Sequence, residues 1–362
     1  MNQPLTLVES EIVKCIVSRC GACLSSCPVY SIKGLAPYSM RGRLTTIYGI
    51  NKGLIKGTPF FRDTVASCTL CGLCELNCPP GINLIKVMEA LRSESVKSLG
   101  LNPLHEKLII HLRSKGHPYS NPALLNYYVE NPESEVAYFP GCTTIFKLPH
   151  IMQRTTTLLR MMLGDRIAIV YGCCGGVAKR IGMMGDFNNI KQRIEDLISR
   201  TEIKELIVSC AGCYSTITKH YNLGKIKVKH VSVFLRGLSH ISGLLPRTSN
   251  SREVAYHDPC HLGRHSNIYE EPRYVITNLA GMKLVEFKEN REESMCCGGG
   301  GGLMSAFPEL ARQIALNKLK RLLKLNINRL VTTCPFCELN FKEAARSYNL
   351  NVEVLDIVET LP

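Results

Sequence analysis

The chain has 362 residues, 45% of them hydrophobic, with eighteen cysteines, no tryptophan and a formal charge of +14. That length suits two or three packed domains. No apolar run approaches the roughly 18 residues of a membrane span, and the start "MNQPLTLVESEIVKC" lacks a basic-then-apolar leader, so a globular cytoplasmic protein is expected. A reducing cytoplasm argues against a disulfide framework, which turns eighteen cysteines towards metal binding or catalysis. The positive charge is spread over helical stretches such as "RQIALNKLKRLLK", which reads as solvated helix faces and weighs against nucleic acid as a partner.

The first chemistry along the chain is "CIVSRCGACLSSCP", which supplies Cys15, Cys20, Cys23 and Cys27 ahead of Pro28. Residues 68 to 79, "CTLCGLCELNCP", repeat the pattern with Cys68, Cys71, Cys74 and Cys78 at the C-x2-C-x2-C-x3-C-P spacing of a bacterial ferredoxin. Paired C-x2-C units also build zinc sites, but four clustered cysteines ending in Cys-Pro favour [4Fe–4S]. The first motif has two extra residues between Cys15 and Cys20, which a bulged loop absorbs with Cys15 still a ligand. Because the fourth cysteine of each motif serves the other cluster, the expected sets are Cys15, Cys20, Cys23 and Cys78, and Cys68, Cys71, Cys74 and Cys27. The stretches "PYSMRGRLTTIYGINKG" and "NLIKVMEALRSESVKSL" have helical spacing. Residues 1–100 therefore read as a mainly α, two-cluster ferredoxin-like domain, and 101–134 as a linker with one or two helices.

The remainder repeats itself. "EVAYFPGC" at 135–142 matches "EVAYHDPC" at 253–260, "YGCCGG" at 171–176 matches "SMCCGG" at 294–299, and "ELIVSCAGC" at 205–213 matches "NRLVTTCPFC" at 328–337. Each cysteine-bearing turn follows an apolar, β-branched run, and amphipathic stretches such as "FPELARQIALNKLKRLLKL" lie between, so each half alternates strand and helix. Two repeated α/β domains are expected, at 135–248 and 249–362.

The second half contains "ESMCCGGGGGLM". Neighbouring Cα atoms about 3.8 Å apart disfavour a disulfide between Cys296 and Cys297. A phosphate cradle lacks its "GK[ST]" or spaced G-x-G-x-x-G. A metal site remains. Ligands of such sheets gather beyond the carboxyl ends of the strands. Cys260, Cys296, Cys297, Cys334 and Cys337 are thus expected around one cluster, with Gly298 to Gly302 closing over it and Gly298 and Gly299 facing it. The equivalent set is Cys142, Cys173, Cys174, Cys210 and Cys213, with Gly175 and Gly176. These four sets use every cysteine in the chain.

With these motifs in order, the chain resembles the family with paired CCG domains, best known from heterodisulfide reductase, and within it the D-subunit type, which fuses a two-cluster ferredoxin unit to two CCG domains. "MRGRL" between the ferredoxin motifs is also similar to the iron–sulfur subunits of glycolate oxidase, lactate-utilisation complexes and anaerobic glycerol-3-phosphate dehydrogenase. Complete "CAGC" and "CPFC" motifs favour the heterodisulfide reductase type. The resemblance implies two cubane clusters, a noncubane [4Fe–4S] cluster in each five-cysteine set, and a disulfide or related sulfur substrate split between the latter two.

Thiol products need protons, and His257, Asp258 and His261 flank Cys260 where the first half has Phe139, Pro140 and Thr143. They are candidate proton donors, or groups that orient cluster ligands or cap a helix; Arg264 is a candidate partner for an anionic substrate. The alternative function is a pure electron carrier for a flavin-dependent glycolate, lactate or glycerol-3-phosphate dehydrogenase feeding quinone or a membrane cytochrome. Either way no flavin or nicotinamide motif is present, so a flavoprotein or cytochrome subunit is the expected partner, with the chain in the cytoplasm or peripheral at the inner membrane face. A zinc-bound nucleic-acid protein is disfavoured by the Cys-Pro spacing and by the lack of finger-spaced histidines.

Overall fold

The computed structural model describes residues 8–164, 167–237 and 252–361; the expected boundary between the two repeats, at 248/249, lies outside them. Among the described residues no strand precedes Tyr128. The N-terminal part is built from helices Glu9–Ser18, Met40–Asn51, Pro59–Ala66 and Leu84–Leu99, joined by cysteine-bearing turns. Local chemistry sets their starts. Ser39 accepts from the Gly42 N–H at 3.0 Å, Thr58 caps a helix whose first residue is Pro59, and Asn83 accepts from the Lys86 N–H at 2.9 Å. Met40, Leu44, Ile47, Val65, Leu84, Val87 and Leu91 form their shared core.

Residues 101–134 hold helix Pro103–Lys115 and the short strand β1 (Tyr128–Glu130). β1 pairs antiparallel with β3 (Ala168–Tyr171) at the edge of the first sheet, so the segment contributes to that sheet as well as leading to it. The sheet continues with β2 (Val136–Phe139), β4 (Glu205–Val208) and β5 (Lys227–His230) in the order β1-β3-β2-β4-β5, with β2 to β5 parallel. The second sheet, β6 (Glu253–His257), β7 (Lys283–Val285), β8 (Arg329–Thr332) and β9 (Glu353–Asp356), has the order β7-β6-β8-β9 and is parallel throughout. Helices such as Pro149–Leu163, Met184–Ile198 and Pro308–Lys324 make the crossovers. Ala137, Tyr138 and Phe139 of β2 are all fully buried, as expected of a parallel strand covered on both faces.

The repeat is visible in the interior. β2 pairs with β4 through Tyr138 and Ile207, and β6 pairs with β8 through Tyr256 and Val331. These four residues join one apolar cluster, so the two sheets share a core. The Tyr138 hydroxyl bonds Ser209 Oγ at 2.5 Å and the Tyr256 hydroxyl bonds Thr333 Oγ1 at 2.8 Å. His230, fully buried at the end of β5, crosses between them. Its Nδ1 accepts from the Ser232 N–H, which leaves Nε2 to donate to the carbonyls of Ser209 and Thr333, both at 3.1 Å. Each of those carbonyls precedes a cysteine, Cys210 in one half and Cys334 in the other.

Burial holds His230 neutral, with its pKa pushed down to about 4, and burial does the same to His105, also to about 4. A depressed pKa stabilises the fold above the free value near 6.5 and loses that contribution as pH falls towards 4. Stability should therefore drop between pH 6.5 and 4, with each ring contributing on the order of 3 kcal/mol. Urea midpoints at pH 7.5 and pH 5 should differ less in a His230→Gln variant than in the parent chain; an equal difference would remove His230 from this account.

Candidate metal centre

All eighteen cysteines are free thiols, and most are buried. They fall into four groups. Cys15, Cys20, Cys23 and Cys78 line one hollow with Met40, Ile82 and Leu84, so the irregular first motif does bring Cys15 beside the other three. The Arg41 N–H of "MRGRL" donates to Cys23 Sγ at 3.3 Å. Cys20 is the exposed member. In the second group, burial and then the neighbouring Cys71, Cys68 and Cys27 push the Cys74 thiol well up, and Cys27 is raised by burial with Cys68 and Cys71 adding to it. The fourth cysteine of each motif thus stands among the first three of the other.

The ten remaining cysteines sit where the sheets deliver them. Cys142 follows β2, Cys173 and Cys174 follow β3, Cys210 follows β4, Cys260 follows β6 and Cys334 follows β8, all at carboxyl ends of parallel strands. Cys213 and Cys337 come from the first turns of the succeeding helices Ala211–His220 and Pro335–Ser347. Nine of the ten line a single cavity of about 130 Å³. Cys142 and Cys173 stand 3.5 Å apart in one set, and Cys297 contacts Cys337 in the other. Cys210 and Cys334 contact each other across the two halves.

The glycines divide their work. The N–H groups of Gly175, Gly298 and Gly299 donate to the sulfurs of Cys173, Cys296 and Cys297 at 3.5, 3.3 and 3.3 Å, and the Gly176 N–H lies on Cys174. Gly298 has φ +82°, and a Cβ there would lie 2.6 Å from the Ala311 carbonyl oxygen. The rest of the run behaves differently from the expectation that it only closes over a cluster. Gly301 has φ +65°, and a Cβ on it would lie 2.3 Å from the Cys68 carbonyl oxygen. The bare backbone is therefore also the seat of a ferredoxin loop. Next to that seat Cys71, Cys260 and Cys296 pack together, and contact with Cys296, then burial, pushes the Cys71 thiol well up.

Two arginines secure this junction. Arg92, 2% exposed, donates to the carbonyls of Val65, Ala66 and Cys68 in the ferredoxin part, of Arg180 in the first repeat, and of Gly301 in the second. Sequence reasoning passed over it. Its signal was a charge on the apolar face that Met88, Leu91 and Ser95 occupy in helix Leu84–Leu99. Arg264 donates from Nε to the Cys71 carbonyl at 2.7 Å and from Nη1 to the carbonyls of Glu292 and Ser294 at 2.8 and 2.7 Å, leaving Nη2 buried without a partner among the described residues. Arg180 and Tyr119 line the cysteine cavity too and were also missed.

The three candidate proton donors separate. Asp258 is held by Arg273 through contacts of 2.6 and 3.0 Å and accepts from the Arg291 N–H at 2.9 Å, so its carboxylate is committed to an ion pair. His257 lies with the sulfurs of Cys297 and Cys337, all within 4.8 Å of one another, edge-on to Phe341. His261 borders the cavity, and among the described residues neither its ring nitrogens nor those of His257 have a hydrogen-bond partner. Burial is the main cause that lowers the pKa of both imidazoles.

The donor set fits iron–sulfur clusters. Sulfur ligands in fours and fives, glycine N–H groups aimed at sulfur, and crowded thiols with few counter-charges describe a site that metal cations complete. Residues 11–82 match the family described as 4Fe-4S dicluster domain, and residues 136–218 and 254–342 match the Cysteine-rich domain, CCG. The chain is 31% identical to the D subunit of the dihydromethanophenazine:CoB–CoM heterodisulfide reductase of Methanosarcina acetivorans, over 98% of this chain and 94% of that one. It is 30% identical to the B subunit of the fumarate reductase (CoM/CoB) of Methanothermobacter marburgensis, over 95% of this chain and 71% of that one. Among solved structures, a hypothetical protein from Helicobacter pylori superposes with a TM-score of 0.60 at 12% identity, covering 90% of this chain and 67% of that one, which bears on the fold alone.

Replacing Arg264 with Gln removes the positive charge between Cys71, Cys260 and Cys296. A buried cation favours the more negative, reduced state of a nearby cluster, so the variant should show a lower midpoint potential in an anaerobic redox titration, with Arg264→Lys intermediate. Unchanged potentials would leave Arg264 a purely mechanical link.

Proposed function

The chain belongs to the family of heterodisulfide reductase D subunits, and from that membership we propose that it reduces a disulfide or related sulfur substrate in the cavity shared by its two CCG domains. When bound, the clusters supply one-electron redox chemistry: cubanes at the two ferredoxin sets and noncubane clusters at the two five-cysteine sets. The reaction breaks one S–S bond, consumes two electrons and two protons, and releases two thiols. The observation that carries the reading is the shared cavity, because a disulfide lodged there has a five-cysteine set on either side.

The cysteines form a single file that supports delivery of electrons to that cavity. Cys20 is exposed, its group adjoins the second ferredoxin group, Cys71 touches Cys296, and Cys334 touches Cys210. A partner subunit, a flavoprotein or a membrane cytochrome, docks near Cys20 on this reading. No helix among the described residues is long and apolar enough to cross a membrane. His261, unpartnered at the cavity wall, is the candidate proton donor. His257 orients Cys297, and Asp258 positions the loop through Arg273.

The protein, purified without oxygen and reduced, should change its electron paramagnetic resonance spectrum when a disulfide or thiol is added, and it should release two thiols per disulfide. His261→Asn should slow thiol release roughly 100-fold while retaining iron. Ferredoxin-type signals indifferent to both additions would instead favour an electron-carrier subunit of a flavin-dependent dehydrogenase.

A further inference from the structure

The two repeats also meet away from the cysteine cavity, where helix Pro149–Leu163 of the first packs against the last helical turn of the second, Ile357–Thr360. At that seam His150 from the helix, Glu359 from the turn and Glu338 from helix Pro335–Ser347 bring one imidazole nitrogen and two carboxylate oxygens within 4.8 Å of one another. Glu338 directly follows Cys337, where the first repeat has Tyr214 after Cys213, and it is 0% exposed. A carboxylate so buried needs partners on both oxygens. Lys342 donates to Oε1 at 2.5 Å, but Oε2 is shielded from water and has no partner among the described residues. Glu359 is half committed in the same way: its Oε2 accepts from the Asp356 N–H at 2.8 Å, and its Oε1 faces His150 Nε2 at 3.5 Å. Asp356 adds a third carboxylate, and burial, then Glu338 beside it, pushes its carboxyl well up. Arg154, one turn along from His150, donates to the carbonyls of Val358 and Leu361 and not to these acids.

We propose that His150, Glu338 and Glu359 bind a divalent cation of the zinc type, which clamps the first CCG domain to the second. Zinc takes imidazole nitrogen and carboxylate oxygen at about 2.1 Å, which in a tetrahedral site sets the donors roughly 3.4 Å apart. His150 Nε2 and Glu359 Oε1 already stand at that spacing. The Glu338 carboxylate is the third donor, and water completes the shell on the open side, where His150 is half exposed. An ion pair between His150 and Glu359 alone would leave Glu338 Oε2 without a partner, whereas a cation serves all three side chains. The mixed nitrogen and oxygen donors select against magnesium and calcium, which take oxygen ligands. No cysteine belongs to this set, so the site is separate from the clusters. It nonetheless bears on them, because Glu338 lies in the first turn of the helix that carries Cys337.

The test uses the oxidised, cluster-loaded full chain, freed of loosely held metal by dialysis against a chelator, and titrates it calorimetrically with zinc chloride and with magnesium chloride. Zinc should bind with one ion per chain and magnesium should not, with iron content unchanged before and after. His150→Ala and Glu359→Gln should each weaken zinc at least ~10-fold, and His111→Ala, a histidine elsewhere on the protein, should leave it as it was. Because the ion joins two domains of the folded chain, saturating zinc should also raise the thermal midpoint of the parent by ~2–4 °C and leave that of His150→Ala where it was. His150 is half exposed and Gln at 359 can still accept the Asp356 N–H, so both variants keep the fold, which their iron content checks. No binding of zinc, binding that survives both substitutions, which marks an adventitious ion only, or uptake of zinc matched by loss of iron, which places it on cysteines, would each overturn the site.

Discussion

Thiolates cannot be crowded together inside a protein unless something positive is placed among them. Two of them 3.5 Å apart, the spacing of Cys142 and Cys173, repel by about 5 kcal/mol at an effective dielectric constant near 20. The chain gathers eighteen cysteines in four such groups and supplies few cations to balance them. As thiols most of them are held protonated by burial and by one another, and metal binding exchanges those protons for iron. Much of the remaining architecture serves to hold sulfurs in place around cations the polypeptide itself lacks.

Parallel sheets answer that need because all their strands end on one edge. Once β2, β3 and β4 run side by side, the residues after them converge without long loops, and the second repeat does the same with β6 and β8. Pairing the sheets through a common core brings the two edges to one cavity, and His230 ties together the two strand ends that carry Cys210 and Cys334. The ferredoxin part is then set against this pair by hydrogen bonds from Arg92 and Arg264 to backbone carbonyls, which need no particular partner side chain.

Much of this was legible in the sequence, for a physical reason. Cysteine spacing encodes ligand geometry directly, and the self-match of "EVAYFPGC" with "EVAYHDPC" gave away the repeat because each strand end must deliver a cysteine at a fixed point. Even the crossed sets, with Cys78 beside Cys15 and Cys27 beside Cys68, followed from spacing. The contacts between units were not legible. Gly300 and Gly301 look like more of the same loop in a string of letters, yet their missing side chains admit residues 68 and 69 from more than two hundred positions away. Arg92 and Arg180 carry no motif, and Asp258 looked as available as His261 until Arg273, fifteen residues on, was found holding it.

The central claim is that every cysteine in the chain is a cluster ligand, in two sets of four and two of five. Iron and acid-labile sulfide per chain, measured on protein purified without oxygen, test it most directly. About sixteen of each is predicted, four for each of four clusters. About eight, persisting after reconstitution with iron and sulfide, would leave the CCG cavity without clusters and contradict the account.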